Sequence, residues 1–202
     1  MKRAEAVDEL KRVYAVLNSD LKEARAELLQ SSTEFRKRTL VRTCFALVEG
    51  LSHQLRQVTL ATLQDTNFLS AGDLAILKEE RYQLSAQGNT EERDNHQLTL
   101  PMLLFSLRIY AKNHGAEFTP KISDNGWNCL RKGFQMRDRL MHPKSLRDLA
   151  VTDVEQSDFA FGIKWWNDSL RDLLATCNMA DNNMLSGTDA RETVIGQPTL
   201  LE

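Results

Sequence analysis

WNCLRKGFQMRDRLMHPK, residues 127–144, reads as a helix that ends on a proline, and it sets the pattern for the whole chain. Trp127, Leu130, Phe134 and Met141 recur at the helical period and form one apolar stripe. Arg137 falls on that stripe. A guanidinium stays charged and is costly to bury alone, so the stripe needs a carboxylate, an anion or a wet cleft beside it. Pro143 stops the helix and places His142 at or just past the last turn. There the ring meets the negative end of the helix dipole and unpaired carbonyls, which favour imidazolium. Asp138 lies four residues before His142, close enough to orient the ring if the last turn is intact.

The flanking sequence is helical in the same sense. Leu10, Tyr14, Leu17, Leu21, Ala24 and Leu28 form a heptad seam within residues 1–30, an amphipathic helix that packs on the body of the protein or on a second subunit. Ser31 and Glu34 make a capping box that opens the next helix. There Leu40, Val41, Cys44, Phe45, Leu47, Val48, Leu51 and Leu55 cover more than half the circumference, as in the middle of a bundle. Arg42, Glu49, His53 and Arg56 form the remaining narrow polar stripe, which is either a solvated edge or the face that supplies Glu49 to Arg137. Ser70 caps a helix over 71–84, a polar loop containing His96 follows, and Pro101 starts a helix that stops at His114-Gly115. Ser123 or Asp124 caps the central helix. Thr152 and Glu155 box the last one, where Phe159, Ile163, Trp166, Leu170, Leu173 and Cys177 form a core stripe. Trp165 beside it reads as core rather than as a platform for stacked bases. The spans expected are 2–30, 33–64, 71–84, 101–113, 124–141 and 153–177, with no convincing strand: an all-α bundle in a single domain over 31–177. Residues 178–202 read as a flexible tail whose closing Leu-Glu resembles a cloning scar.

The 202 residues, 42% hydrophobic, suffice for one buried core. A net charge of -2 argues against coating nucleic acid with the whole surface, but not against a local basic site. Cys44, Cys129 and Cys177 sit in apolar patterns and read as buried thiols of a reducing cytoplasm. The opening Met-Lys-Arg-Ala-Glu enters an amphipathic pattern directly, so neither a secretory leader nor a membrane span is expected. Phosphate-loop, His-Glu-x-x-His and Gly-x-Ser-x-Gly motifs are absent, and four dispersed histidines suggest no metal site and no cofactor. Between Arg131 and Arg147 stand Arg131, Lys132, Arg137, Arg139, Lys144 and Arg147 against Asp138 alone, a net +5 that would attract a phosphate backbone.

Arg137, four intervening residues and His142 resemble the signature of the HEPN superfamily, small helical domains of many prokaryotic RNases and toxins. That motif is an arginine, four to six residues, then a histidine, with a polar residue such as Asp138 after the arginine. The stretch from Arg38 to Gly50 is also similar to an early helix of some bacterial HEPN-like proteins. The resemblance implies a homodimer that cleaves RNA without metal, as a toxin or defence effector with an antitoxin protein as a further partner. His142 would move protons, Arg137 would hold the phosphoryl oxygens with Asp138 in support, and the products would be a 2′,3′-cyclic phosphate and a 5′-hydroxyl. Arg131, Lys132, Arg139 and Lys144 would bind the RNA backbone, and Glu49 and Arg42 would support the site. Toxins regulated by nucleotidyl transfer carry a tyrosine two residues after the histidine, where this chain has Lys144. Residues five apart point about 140° apart on a helix, so Arg137 and His142 converge only if the helix has broken or a partner subunit completes the site. The alternative is a non-catalytic, dimerising or RNA-binding scaffold of the same fold.

Overall fold

The computed structural model describes the backbone of residues 2–62, 69–84, 87, 89–94 and 98–195, and their side chains except those of 80–84, 90–94 and 183–195. Its helices are α1 (Arg3–Gln30), α2 (Glu34–Thr62), α3 (Ala71–Leu77), α4 (Thr99–Asn113), α5 (Asn125–Met141) and α6 (Asp153–Ile195). A short antiparallel ribbon, β1 (Glu80–Leu84) and β2 (Thr90–Asp94), and a 3-10 turn over Leu146–Leu149 complete the order. The body is the expected all-α bundle. α1 lies along α2 of its own chain, α2 also packs on α4, and α5 packs on α6.

Phe45 of α2 is where these pairs join. Its ring stands 4.5 Å from Phe134 of α5 and 5.8 Å from Phe159 of α6, all three buried. Leu103 and Leu107 of α4, Leu130 and Leu140 of α5 and Trp166 and Leu173 of α6 extend the same core. α5 and α6 approach closely because the glycines between them have no Cβ. A Cβ on Gly162 would stand 2.6 Å from the Leu130 backbone nitrogen and one on Gly126 would meet the Cβ of Trp165 at 2.7 Å, while Gly133 gives α5 the same close approach to Phe45 of α2, 2.9 Å from its Cβ position. Trp165 is buried there, 5.1 Å from Trp127, and donates its indole N–H to the Lys121 carbonyl at 3.0 Å. The tryptophan pair is core, not a stacking surface.

Local chemistry explains the boundaries. Thr33, rather than Ser31, caps α2 by accepting from the Arg36 N–H at 3.3 Å, and Glu34 reaches across to accept the Val151 N–H at 3.1 Å. Ser70 accepts from the Asp73 N–H at 3.1 Å and starts α3 as expected. That helix ends at Leu77 rather than 84, because Glu79 takes φ 58 and turns the chain into β1. The loop expected after it is instead the ribbon, in register Glu80 opposite Asp94 and Leu84 opposite Thr90. His96 lies outside the described residues. α4 closes on Gly115 at φ 64, which removes any Cβ penalty there. Asp124 accepts from the Trp127 N–H at 2.9 Å to open α5, and Thr152 and Glu155 cap α6 reciprocally.

α6 does not stop near Cys177. Where the sequence suggests a tail from 178, the described helix continues to Ile195, and residues 196–202 lie outside the described residues. An anchor beyond Cys177 is Asp181, whose carboxylate lies 3.0 Å from Nδ1 of buried His114. His114 is thus a packed residue with its own partner, not merely a basic residue before a glycine. No helix among the described residues is long and apolar enough to cross a membrane.

Candidate functional site

Arg137 leaves the buried side of α5 and turns its guanidinium into a pair of carboxylates. Nη2 stands 2.6 Å from both oxygens of Glu49 and donates a hydrogen bond to Oε2, while Nη1 donates to Asp138 Oδ1 at 2.7 Å. Of the three surroundings open to an arginine on the apolar stripe, a carboxylate, an anion or a wet cleft, the structure supplies a carboxylate, carried by the polar stripe of α2. Glu49 is half-buried, its Oε1 is buried with no hydrogen-bond donor, and burial raises its pKa despite the neighbouring arginine. The two hydrogen bonds use two of the five guanidinium N–H donors and leave three.

His142 is the C-cap of α5, with φ -127 and ψ 59, and its N–H donates to the Asp138 carbonyl at 2.9 Å. Its side chain is exposed and makes no hydrogen bond or ion pair among the described residues. The expected orienting contact from Asp138 is absent: that carboxylate serves Arg137 instead. Nor does any hydrogen bond join His142 to Arg137 or Glu49. One chain thus presents the arginine and the histidine at the same end of α5 with no hydrogen bond or ion pair between them.

The segment after His142 is fastened from several directions. Arg42 donates to the Leu140 carbonyl at 2.7 Å, which neutralises an orphan acceptor at the end of α5. Arg38 donates to the Leu149 carbonyl at 3.0 Å, and Asp148 accepts the N–H groups of Lys144 and Ser145 at 2.8 and 2.7 Å. Arg139 donates to the carbonyls of Arg147, Asp148 and Ala150 at 3.0–3.1 Å and to Glu155 at 2.6 Å. Arg42 and Arg139 are therefore clasps of the loop that carries His142. Lys132 is paired with Asp158 at 2.7 Å. Arg131, Lys144 and Arg147 remain exposed with no ion pair among the described residues, so the basic patch is about half of what its sequence count suggests.

A second polar cluster escapes the sequence reading. Arg56, only 8% exposed, is not on a solvated edge but between α2 and α4. Its Nη1 donates to Ser106 Oγ at 2.9 Å, Ser52 donates to the same hydroxyl at 2.9 Å, and Nη2 meets Glu79 at 3.5 Å. The available signal was a pair of serines on two apolar helix faces, Ser52 and Ser106, which need each other once buried. The three cysteines are free and buried, and burial pushes the Cys44 thiol up to about 12 and Cys177 to about 11, which makes both inert. Among the described residues no group of His, Cys, Asp and Glu could hold a metal ion. Comparison with family models, curated proteins and solved structures found no match.

Proposed function

We propose that the chain is a metal-independent endoribonuclease of the HEPN type that acts on single-stranded RNA as a homodimer, in the role of a toxin or defence effector. RNA carries its own nucleophile, so the protein has to move two protons and stabilise the charge that builds on the phosphoryl oxygens. The observation that carries the reading is the pairing of a preorganised arginine with an unpartnered histidine on one helix end. Arg137 is held in place by Glu49 with donors to spare, and His142 is exposed five residues on, about 7.5 Å further along the axis. Arg131 and Lys144 supply free charge for the RNA backbone, and a second subunit brings its own His142 to the cleft.

Purified protein is expected to cleave single-stranded RNA in EDTA, to spare DNA of the same sequence, and to run at twice the chain mass in light scattering. Arg137→Ala and His142→Ala are each expected to abolish cleavage and stay folded, since acid–base help from His142 is worth ~10²–10⁴ in rate and Arg137 stabilises the charge on the phosphoryl oxygens. Equal slow degradation by wild type and His142→Ala would mark the activity as contamination. The double carboxylate contact of Arg137 favours a second reading, a non-catalytic dimerising scaffold, and that same result would leave it standing.

A further inference from the structure

We propose that Glu49 is the general base of this site and that His142 is its general acid, an inference that rests on the ribonuclease reading above. In-line attack of a 2′-hydroxyl places the nucleophile and the leaving oxygen on opposite sides of phosphorus, so one imidazole is poorly placed to serve both. The base and the acid are then two different groups, and a His142 brought by the second subunit can face the leaving oxygen from the side opposite Glu49. Glu49 shares the Arg137 end of the site: its carboxylate is 2.6 Å from the guanidinium that would hold the phosphoryl oxygens. Oε2 accepts one hydrogen bond from Arg137 and keeps further acceptor capacity, and the side chain is 31% exposed. Oε1 is buried and accepts no hydrogen bond, although the same guanidinium nitrogen stands 2.6 Å away, and this burial opposes the charged form and keeps the carboxylate basic. The charged groups that act on Glu49 are Arg137 and Asp138 of α5.

The balance is simple. Glu49 takes the 2′-hydroxyl proton, the 2′-oxygen bonds to phosphorus, the bond from phosphorus to the 5′-oxygen breaks, and imidazolium of His142 gives that oxygen its proton. The products are the 2′,3′-cyclic phosphate and the 5′-hydroxyl. Glu49, now a neutral acid, and His142, now neutral, exchange protons with water.

The test separates a base from a residue that merely positions Arg137. Glu49→Gln keeps an amide oxygen that accepts from the guanidinium but cannot take a proton. Single-turnover cleavage by this variant is expected to fall by ~10²–10⁴, while binding of 2′-O-methyl RNA, which has no nucleophile, stays within a few-fold of wild type. The acid limb of the wild-type pH–rate profile should lie above the ordinary carboxylate range and vanish in Glu49→Gln. Near-wild-type cleavage by a folded Glu49→Gln protein, with His142→Ala inactive, overturns the assignment and leaves the ribonuclease reading intact. A wild type that cleaves no RNA overturns both. Should Glu49→Gln not fold, Glu49→Asp decides: a retained acid limb at a shifted pH supports the base, and an unchanged profile rejects it.

Discussion

Arg139 illustrates how a positive charge in a sequence differs from one at a surface. It lies within the basic run, yet its guanidinium is spent on three loop carbonyls and Glu155. Arg139→Ala should therefore destabilise the fold by about 2 kcal/mol, the scale of losing several hydrogen bonds from a charged group in a partly exposed site. Arg131→Ala should leave the thermal midpoint unchanged, weaken RNA binding, and lower the slope of log affinity against log salt by about 0.7, the share of one contact to a single strand. Paired melts and salt titrations distinguish the two. Much of the candidate site was legible at this scale, because an arginine on an apolar stripe needs a carboxylate, an anion or a wet cleft, and Glu49 stood on a polar stripe of α2 that could supply the first. The use of Asp138 was not legible. Helical spacing favoured its contact with His142, but the long, flexible arginine next to it folds back and takes the carboxylate first.

Helix caps carry much of what the sequence says about elements, since Ser70, Asp124 and Thr152 each satisfy a backbone N–H that the helix itself leaves unpaired. What lay beyond them was less visible for a physical reason: the ribbon and the far part of α6 lack the apolar periodicity by which strands and helices are recognised. Asp181 is tied to His114, a contact 67 residues apart that no local pattern encodes. The seam between α5 and α6 yields a sharper prediction. Gly162→Ala places a methyl 2.6–2.9 Å from the backbone at Cys129 and Leu130, which cannot rotate away, so the helices must separate at a cost of about 3 kcal/mol. Gly72→Ala meets nothing nearer than 3.8 Å and replaces glycine inside a helix, so it should stabilise by ~0.5–1 kcal/mol. The same substitution thus has opposite signs at two helical sites, readable from urea midpoints.

Acid should open the molecule along identifiable seams. Lys132 holds the Asp158 carboxyl below its ordinary range across α5 and α6, and the Val151 N–H does the same for Glu34 between α2 and the loop after α5. A depressed folded pKa gives stability that is present above the unfolded value and is lost as pH falls through the folded one. Denaturant midpoints should therefore be flat near neutrality and decline below about pH 4, and Lys132→Ala should lessen the decline, because it frees Asp158. Glu49, displaced the other way by burial, works against this trend, since its folded form holds a proton more readily than its unfolded one. One further consequence concerns how such experiments are watched. The chain has three tryptophans: Trp127 and Trp165 lie in the contact between α5 and α6, and Trp166 of α6 is buried in the common core. Indole emission therefore reports first on the parting of those two helices, since α1 carries no tryptophan and buries Ala6, Leu21 and Ala24. A melt followed by fluorescence will lag one followed by far-ultraviolet dichroism if α1 peels away first, and the gap between the curves measures how independently that helix comes off.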